Sequence, residues 1–506
     1  MKARADSALA RRPESDGSLL TRRQCGLGLI ALCALAAGGC VSGSAQGSAG
    51  GATPSERERE IGREGADEVE RTMGLVRDPR VVGYVRDVGQ RLGSAPGAQG
   101  PSWTFNVVDD EEPNAFSLPA GYCYVSRGLL AVLNSEDELA GVVGHEMGHV
   151  TSRHAVRRAN AATPFAVLFG VPAAVIGAVS PSLGDVVGGA GKMAGGLVLA
   201  PYSRDQEREA DRVGMELAAA AGYDPAGLSR SLRTLARAEQ LSGRDPSRTS
   251  FYSTHPATAE RVTDTQRAAQ TMTRGSGSAI APTRVEFVAR IDGMVVGPDP
   301  ASGVFVGSRF FQPELGFAWN VPDGWKTQNT PEAVGAAEGE GHAVCVLQMV
   351  GDGSDPAAGA RADKLDDERM RRLERIRISG LPAARLITDS RDTRLDLTWI
   401  AYGGHIYRIA GGSRAGDFER YRQLFTQSAQ SFRPIGDADR GRLTVARLRG
   451  ELPRQGETLQ ALVERTAGAW NAEQVAVANG LELTSRLEPG WPVKVPIRYA
   501  YRSRGA

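Results

Sequence analysis

The 506-residue sequence predicts an α+β protein: a mainly helical domain with a small edge sheet at 55–270, then an α+β domain at 285–434. Three observations predict this. Around 135–150, Leu139, Val142, Val143 and Val150 recur at helical spacing, and Ser135 followed three positions on by Glu138 is a capping-box pattern. Short apolar runs at 102–108 and 122–126 have strand length. Beyond 285, alternating runs at 317–321, 343–349, 396–402 and 405–410 separate charged stretches of helical character.

Composition narrows the class without choosing a function. With 41% hydrophobic and 24% charged residues, the chain has the make-up of soluble globular protein, long enough for several domains. A formal net charge of +1 gives no basic surplus for a polyanion, so nucleic acid is not an expected partner.

In chain order, Arg22-Arg23 precede an uncharged Leu/Ala-rich run that ends at Gly38-Gly39-Cys40. The run is short for a membrane span and has the flanks of an export signal, giving a signal at 1–40 and a Gly/Ser linker at 41–54. Cys40, after two small residues, is the expected lipidation site, although Ala37 stands where Leu is usual. A plain secretory signal and an uncleaved anchor stay open as alternatives. Loss of the signal, with Cys40 acylated, would leave Cys123 and Cys345 as thiols in separate domains.

A charged helix is expected from about Ser55, followed by the two short strands and then the helix at 135–150. That helix carries His145-Glu146-Met147-Gly148-His149. Residues four apart share a helix face, so His145 and His149 aim two imidazoles at one metal ion. Glu146 is placed to take a proton from a water that the metal activates. On a further helical stretch, Glu207 completes a His/His/Glu set, and Asp211, one turn on, is placed to orient a ligand imidazole. Three protein ligands suit one zinc ion per chain with an open position, the catalytic rather than the structural arrangement. His154 falls roughly half a turn off the ligand face and reads as packing. Between the two helices, the uncharged run at 159–184 is broken by Pro164, Gly170, Pro172 and Gly177. It reads as a broken helical hairpin, with membrane insertion as the alternative. Glycines at 188–196 suit a lid.

Four pieces in this order carry a family resemblance: Asn114-Ala115-Phe116-Ser117-Leu118-Pro119-Ala120-Gly121, His145 to His149, Glu207 to Asp211, and Ser253-Thr254-His255-Pro256. Over 55–270 the chain resembles the gluzincin endopeptidases related to the heat-shock protease HtpX and the CAAX prenyl endopeptidases, and most of all their soluble bacterial periplasmic members. The resemblance implies zinc-dependent cleavage of peptide bonds, with substrate lying along a strand edge at Asn114, Ala115 and Phe116. It implies that His255 helps stabilise the transition state or fills the open metal position at rest. Arg261 would hold a carbonyl oxygen or a carboxylate. It further implies a periplasmic enzyme, lipid-anchored to the outer membrane, acting on unfolded or stalled envelope proteins beside the outer-membrane assembly machinery. A chaperone or envelope-binding scaffold with a silent zinc site is the competing reading.

A Gly/Ser/Pro-containing linker is expected at 271–284. The domain at 285–434 shows no catalytic set, and His342 and His405 stand alone in it. At 443–498, Gly456-Glu457-Thr458-Leu459, Asn479-Gly480-Leu481 and the run from Leu487 to Pro496 resemble a LysM module. That implies a small βααβ fold binding N-acetylglucosamine polymers such as peptidoglycan. The loop between its helices is altered, and a protein-contact role stays open beside the glycan one.

Overall fold

The computed structural model describes residues 53–161, 202–242, 250–256, 258–390 and 392–503, all within one unit, Ala49–Ala506. Cys40, the glycine run at 188–196 and all but the first three residues of the run at 159–184 lie outside them.

Ser55 caps the first helix, α1 (Glu56–Thr72), in a capping box with Glu58. Asp78 caps α2 (Pro79–Gly93), with Pro79 in the first turn, where its missing N–H costs nothing. Three strands follow, β1 (Thr104–Val108), β2 (Ala115–Leu118) and β3 (Tyr122–Ser126), in the order β1-β3-β2, so β2 is an outer strand. The helices α3 (Arg127–Val132), α4 (Glu136–Thr151), α5 (His154–Ala161), α6 (Arg204–Ala220), α7 (Gly227–Ser242), α8 (Phe251–Thr254) and α9 (Ala259–Ala269) complete the mainly helical part. Gly222, at φ +88, ends α6 as its position in the sequence suggests.

The stretch expected as a linker is instead part of this core. Ile280 N and Ala281 N donate to the buried Glu136 carboxylate at the start of α4, at 2.7 and 2.5 Å. Helix α10 (Arg284–Ile291) buries Phe287, Val288 and Ile291 in the same apolar cluster as α2, α4 and α7. The spacing of Phe287, Val288 and Ile291 suits a buried helix face, so the start of the domain expected at 285–434 packs into the core of the first domain instead.

Short β4 (Val295–Val296) leads to the second domain. There β5 (Val304–Val306), β6 (Arg309–Gln312), β7 (Phe317–Asn320), β8 (Lys326–Asn329), β9 (Val334–Ala337) and β10 (Ala343–Asp352) precede α11 (Pro356–Ala362) and α12 (Asp367–Arg371). Then come β11 (Glu374–Ile378), β12 (Leu381–Ser390), β13 (Thr393–Tyr402), β14 (His405–Arg414), α13 (Phe418–Gln430), β15 (Arg433–Pro434) and α14 (Asp437–Arg440). A seven-stranded antiparallel sheet, β11-β12-β13-β14-β10-β9-β8, buries both faces: Trp319, Tyr407 and Phe425 fill one core, Trp399, Leu395 and Ile406 the other. All four sequence-predicted strands are present, three of them longer than predicted.

The terminal segment is a strand–helix–helix–strand unit: β16 (Thr444–Glu451), α15 (Leu459–Thr466), α16 (Ala472–Ala478) and β17 (Val493–Ala500), with β16 and β17 antiparallel. It is docked rather than free. β16 also pairs with β4, and the buried Lys494 ammonium donates to the carbonyls of Ala131 and Leu133 at the end of α3. The Arg284 guanidinium lies 3.6 Å over the Trp491 ring and donates to Asn134 Oδ1 and Pro492 O.

Candidate metal centre

The centre depends on how closely two helices approach. A Cβ at Gly144 would sit 2.7 Å from Gly214 O, and one at Gly148 would sit 2.7 Å from Ala210 O. Glycine at these α4 positions lets the α6 backbone lie directly against α4. The same contact carries Glu207 and Asp211, one turn apart on α6, to the face bearing His145 and His149. His255 arrives from the other side, directly after α8, with its backbone N–H bonded to Phe251 O and its ring stacked on Phe251.

Four side chains converge. Metal-binding atoms of His145, His149, Glu207 and His255 all lie within 4.8 Å of one another, and all four residues are buried. His145 Nε2 is 3.0 Å from His149 Nε2 and 3.2 Å from His255 Nδ1. Glu207 Oε1 is 3.4 Å from His149 Nε2 and 3.0 Å from His255 Nδ1. Nitrogen lone pairs facing one another in a buried space repel unless a proton or a cation lies between them. Glu146 Oε1 and His255 Nε2 are likewise buried without a hydrogen-bond partner among the described residues. Three imidazoles and a carboxylate are a donor set that suits zinc, so the residues fit the ion.

Around this set, the outer partners fix orientation. His145 Nδ1 lies 2.9 Å from Asp211 Oδ1, and Asp211 accepts from Arg261 Nε and Nη2 at 2.9 and 2.7 Å. Arg261 Nη1 also lies 2.5 Å from Glu207 Oε2. The Arg261 guanidinium is thus held between the carboxylates of Asp211 and Glu207. Glu146 is held by Ser117, whose hydroxyl is 3.0 Å from Oε2 and 3.1 Å from the Glu146 carbonyl. Ser117 was not singled out from sequence; its place two residues into β2, opposite α4, becomes visible only in the fold.

Electrostatics follow the geometry. Burial would raise the Glu207 carboxyl, but the charge of His255 and the hydrogen bonds of His149 and His255 hold it far below the usual carboxylate range. Burial also opposes ionisation of Asp211, and His145 and Arg261 lower it nonetheless. The two α4 histidines diverge. Burial pushes His149 well down, whereas for His145 burial is outweighed by Asp211, which raises it.

Two expectations change. Asn114, Ala115 and Phe116 are buried; Phe116 stacks on Tyr124 at 5.0 Å, and Asn114 N donates to Ser126 Oγ. The cleft beside His149 is lined instead by Ser117, Leu118, Pro119 and Ala120 together with Val150, Ala155 and Tyr202. β2 is buried along its whole length, and the segment bordering the cleft runs from Ser117 past its end to Ala120. His154, expected as packing, is fully buried with Nδ1 2.8 Å from His149 Nδ1. The half-turn argument assumed one continuous helix, but α4 ends at Thr151 and Arg153 takes a left-handed φ of +53, folding α5 back toward His149.

Residues 79–269 match the model of Peptidase family M48. The chain is 28% identical over 203 residues to the beta-barrel assembly-enhancing protease of Escherichia coli strain K12, covering 39% of this chain and 41% of that protein. It is 27% identical over 232 residues to the beta-barrel assembly-enhancing protease of Yersinia pestis, covering 45% and 47%. It is 32% identical over 180 residues to the mitochondrial metalloendopeptidase OMA1 of Schizosaccharomyces pombe, covering 35% and 50%. The chain thus spans about half the length of these curated relatives or less. They are beta-barrel assembly-enhancing proteases and OMA1, rather than HtpX or the CAAX prenyl endopeptidases to which the motifs were likened.

Proposed function

We propose that this chain, whose residues 79–269 match Peptidase family M48, is a zinc-dependent endopeptidase of the cell envelope that hydrolyses unfolded or stalled envelope proteins. One observation carries the reading: His145, His149 and Glu207 converge on one point while Glu146, next to His145 in the chain, keeps Oε1 without a hydrogen bond. His145, His149 and Glu207 would hold the zinc ion. When bound, zinc supplies a Lewis acid that activates water and polarises the scissile carbonyl.

The chain's own residues do the rest. Ser117 fixes one Glu146 oxygen, which leaves Oε1 to accept the proton of the attacking water and return it to the leaving amine. Arg261 and Asp211 hold the His145 ring and the Glu207 carboxylate in place. His255 stands where a fourth donor would and closes the resting site; its withdrawal would open the position to water. Ser117 to Ala120, from the end of β2 into the turn that follows, borders the cleft where an extended peptide would lie.

The envelope assignment rests on the Cys40 segment and on relatives named as beta-barrel assembly-enhancing proteases. Lipidation at Cys40 and proximity to the outer-membrane assembly machinery belong to that reading. The terminal βααβ unit is read as a protein-contact module, because Lys494 and Trp491 are engaged with the peptidase part and not presented to a glycan. The test is zinc content and casein cleavage in purified wild type and Glu146→Gln. Zinc should be equal in the two, with cleavage reduced by about 10²- to 10⁴-fold in the variant. Wild-type protein without stoichiometric zinc, or a variant as active as wild type, would overturn the proposal.

A further inference from the structure

We infer that His154 and Glu209 form a relay that positions His149, fixing its tautomer so that Nε2 is presented to the metal. The inference rests on the zinc reading above and adds two residues that it does not use. His154 Nδ1 is 2.8 Å from His149 Nδ1, and His154 Nε2 is 3.1 Å from Glu209 Oε2. Glu209 also accepts from Arg157 Nη2 at 3.0 Å.

The hydrogens along this chain have one consistent arrangement. A carboxylate only accepts, so the hydrogen of His154 must sit on Nε2, toward Glu209. A neutral imidazole then has a bare lone pair at Nδ1. Two ring nitrogens 2.8 Å apart need one hydrogen between them, so His149 must supply it from its own Nδ1. That leaves the lone pair of His149 on Nε2, the nitrogen facing His145 and Glu207.

The two α4 histidines therefore solve one problem differently. His145 Nδ1 lies directly against Asp211, whereas the carboxylate serving His149 lies on the partly exposed side of α6 and reaches it through a second ring. The left-handed residue Arg153 makes this reach possible, and the Glu58 carboxylate holds that residue by two hydrogen bonds.

The experiment is zinc affinity by chelator competition on the full chain, beside the unfolding midpoint of the metal-free protein. His154→Leu should bind zinc about 10- to 100-fold more weakly, with the metal-free midpoint close to wild type. His154→Asn, whose carbonyl oxygen can stand at the Nδ1 position and accept from His149, should recover most of the loss. Glu209→Ala, a change on a partly exposed residue that does not threaten folding, should weaken binding by a smaller factor in the same direction. In histidine-labelled metal-free protein, nitrogen NMR should find the His149 hydrogen on Nδ1 in wild type and a tautomer mixture in Glu209→Ala. Unchanged zinc affinity in Glu209→Ala together with an unchanged tautomer would overturn the inference, as would equal losses in His154→Leu and His154→Asn. Failure of wild type itself to bind zinc would sink the metal reading instead, so the two failures are distinguishable.

Discussion

At the metal centre three imidazoles and a carboxylate turn their lone pairs toward one another; inside the seven-stranded sheet, buried guanidiniums face carboxylates instead. Arg385 meets Asp396 through Nε at 2.8 Å and again through Nη2, which also reaches Thr426. Arg408 bonds Asp363 at 2.5 Å, and Asp363 accepts from Trp399 Nε1 at 2.7 Å. Both clusters are buried and both are charged. In the sheet the guanidiniums meet carboxylates within the chain, so the charges are matched as folded. In the centre three ring nitrogens and a carboxylate crowd together, and a proton or a cation must lie between them. Buried charge is therefore a poor guide to function; the direction of the lone pairs is a better one.

The largest expected difference between the clusters is their response to zinc. An ion that binds the folded state alone stabilises it by RT ln(1 + [L]/Kd), about 4 kcal/mol at a thousandfold excess over Kd. Chelation should abolish casein cleavage and lower the midpoint of the transition that reports the peptidase part, with recovery on adding zinc back. The transition that reports the sheet domain should not move. Equal movement of both would show that the two parts unfold as one and would break the comparison.

Next in size is the sheet's own cluster. Asp396→Ala leaves the Arg385 guanidinium facing no carboxylate in a mostly buried place, at a cost of about 3 kcal/mol. Zinc content and casein cleavage below the melting range should be those of wild type, and replacing both partners, Arg385→Met with Asp396→Leu, should recover much of the loss. Scanning calorimetry with zinc analysis on the same samples checks both. Loss of zinc in Asp396→Ala would mean that the sheet domain supports the centre.

What the sequence made legible follows the same division. Ligands spaced four apart on a helix, His145/His149 and Glu207/Asp211, are readable because helix geometry alone sets which side chains share a face. His255 is not, since nothing local to a loop says that it returns to a helix 110 positions earlier; only family resemblance pointed to it. His154 was misplaced because one left-handed residue resets the helical phase, and such a residue is hard to foresee when it is an arginine. In the second domain, strand alternation gave the strands, but their order in the sheet and the Arg–Asp pairs are long-range facts. The linker reading of 271–284 failed for the same reason: Glu136, which captures the N–H groups of Ile280 and Ala281, lies more than a hundred residues away.

The smallest expected effect concerns a pair of the complete kind placed at the border of the centre. Glu58 accepts from Arg153, and that bond, with those of Ser55, lowers its carboxyl to about 2 against burial. A carboxyl depressed in the folded state adds stability that is fully present above its unfolded value of 4.5 and is lost as pH falls toward 2. Arg153 is 41% exposed, so solvent screening reduces the contribution to about 1 kcal/mol. Glu58→Gln keeps an oxygen that accepts from Arg153 and removes only the charge. Urea midpoints at pH 7 and pH 5 should therefore be lower in the variant by the same small amount, and the two proteins should begin to converge below pH 4.5 and meet near pH 2, where the folded wild-type carboxyl takes up its proton. Zinc affinity at pH 7 should stay within a few-fold of wild type, because the turn that brings His154 to His149 keeps its hydrogen bond. A gap that widened on acidification would have the wrong sign for a depressed carboxylate, and a large loss of zinc would move Glu58 from the complete cluster type into the machinery of the centre.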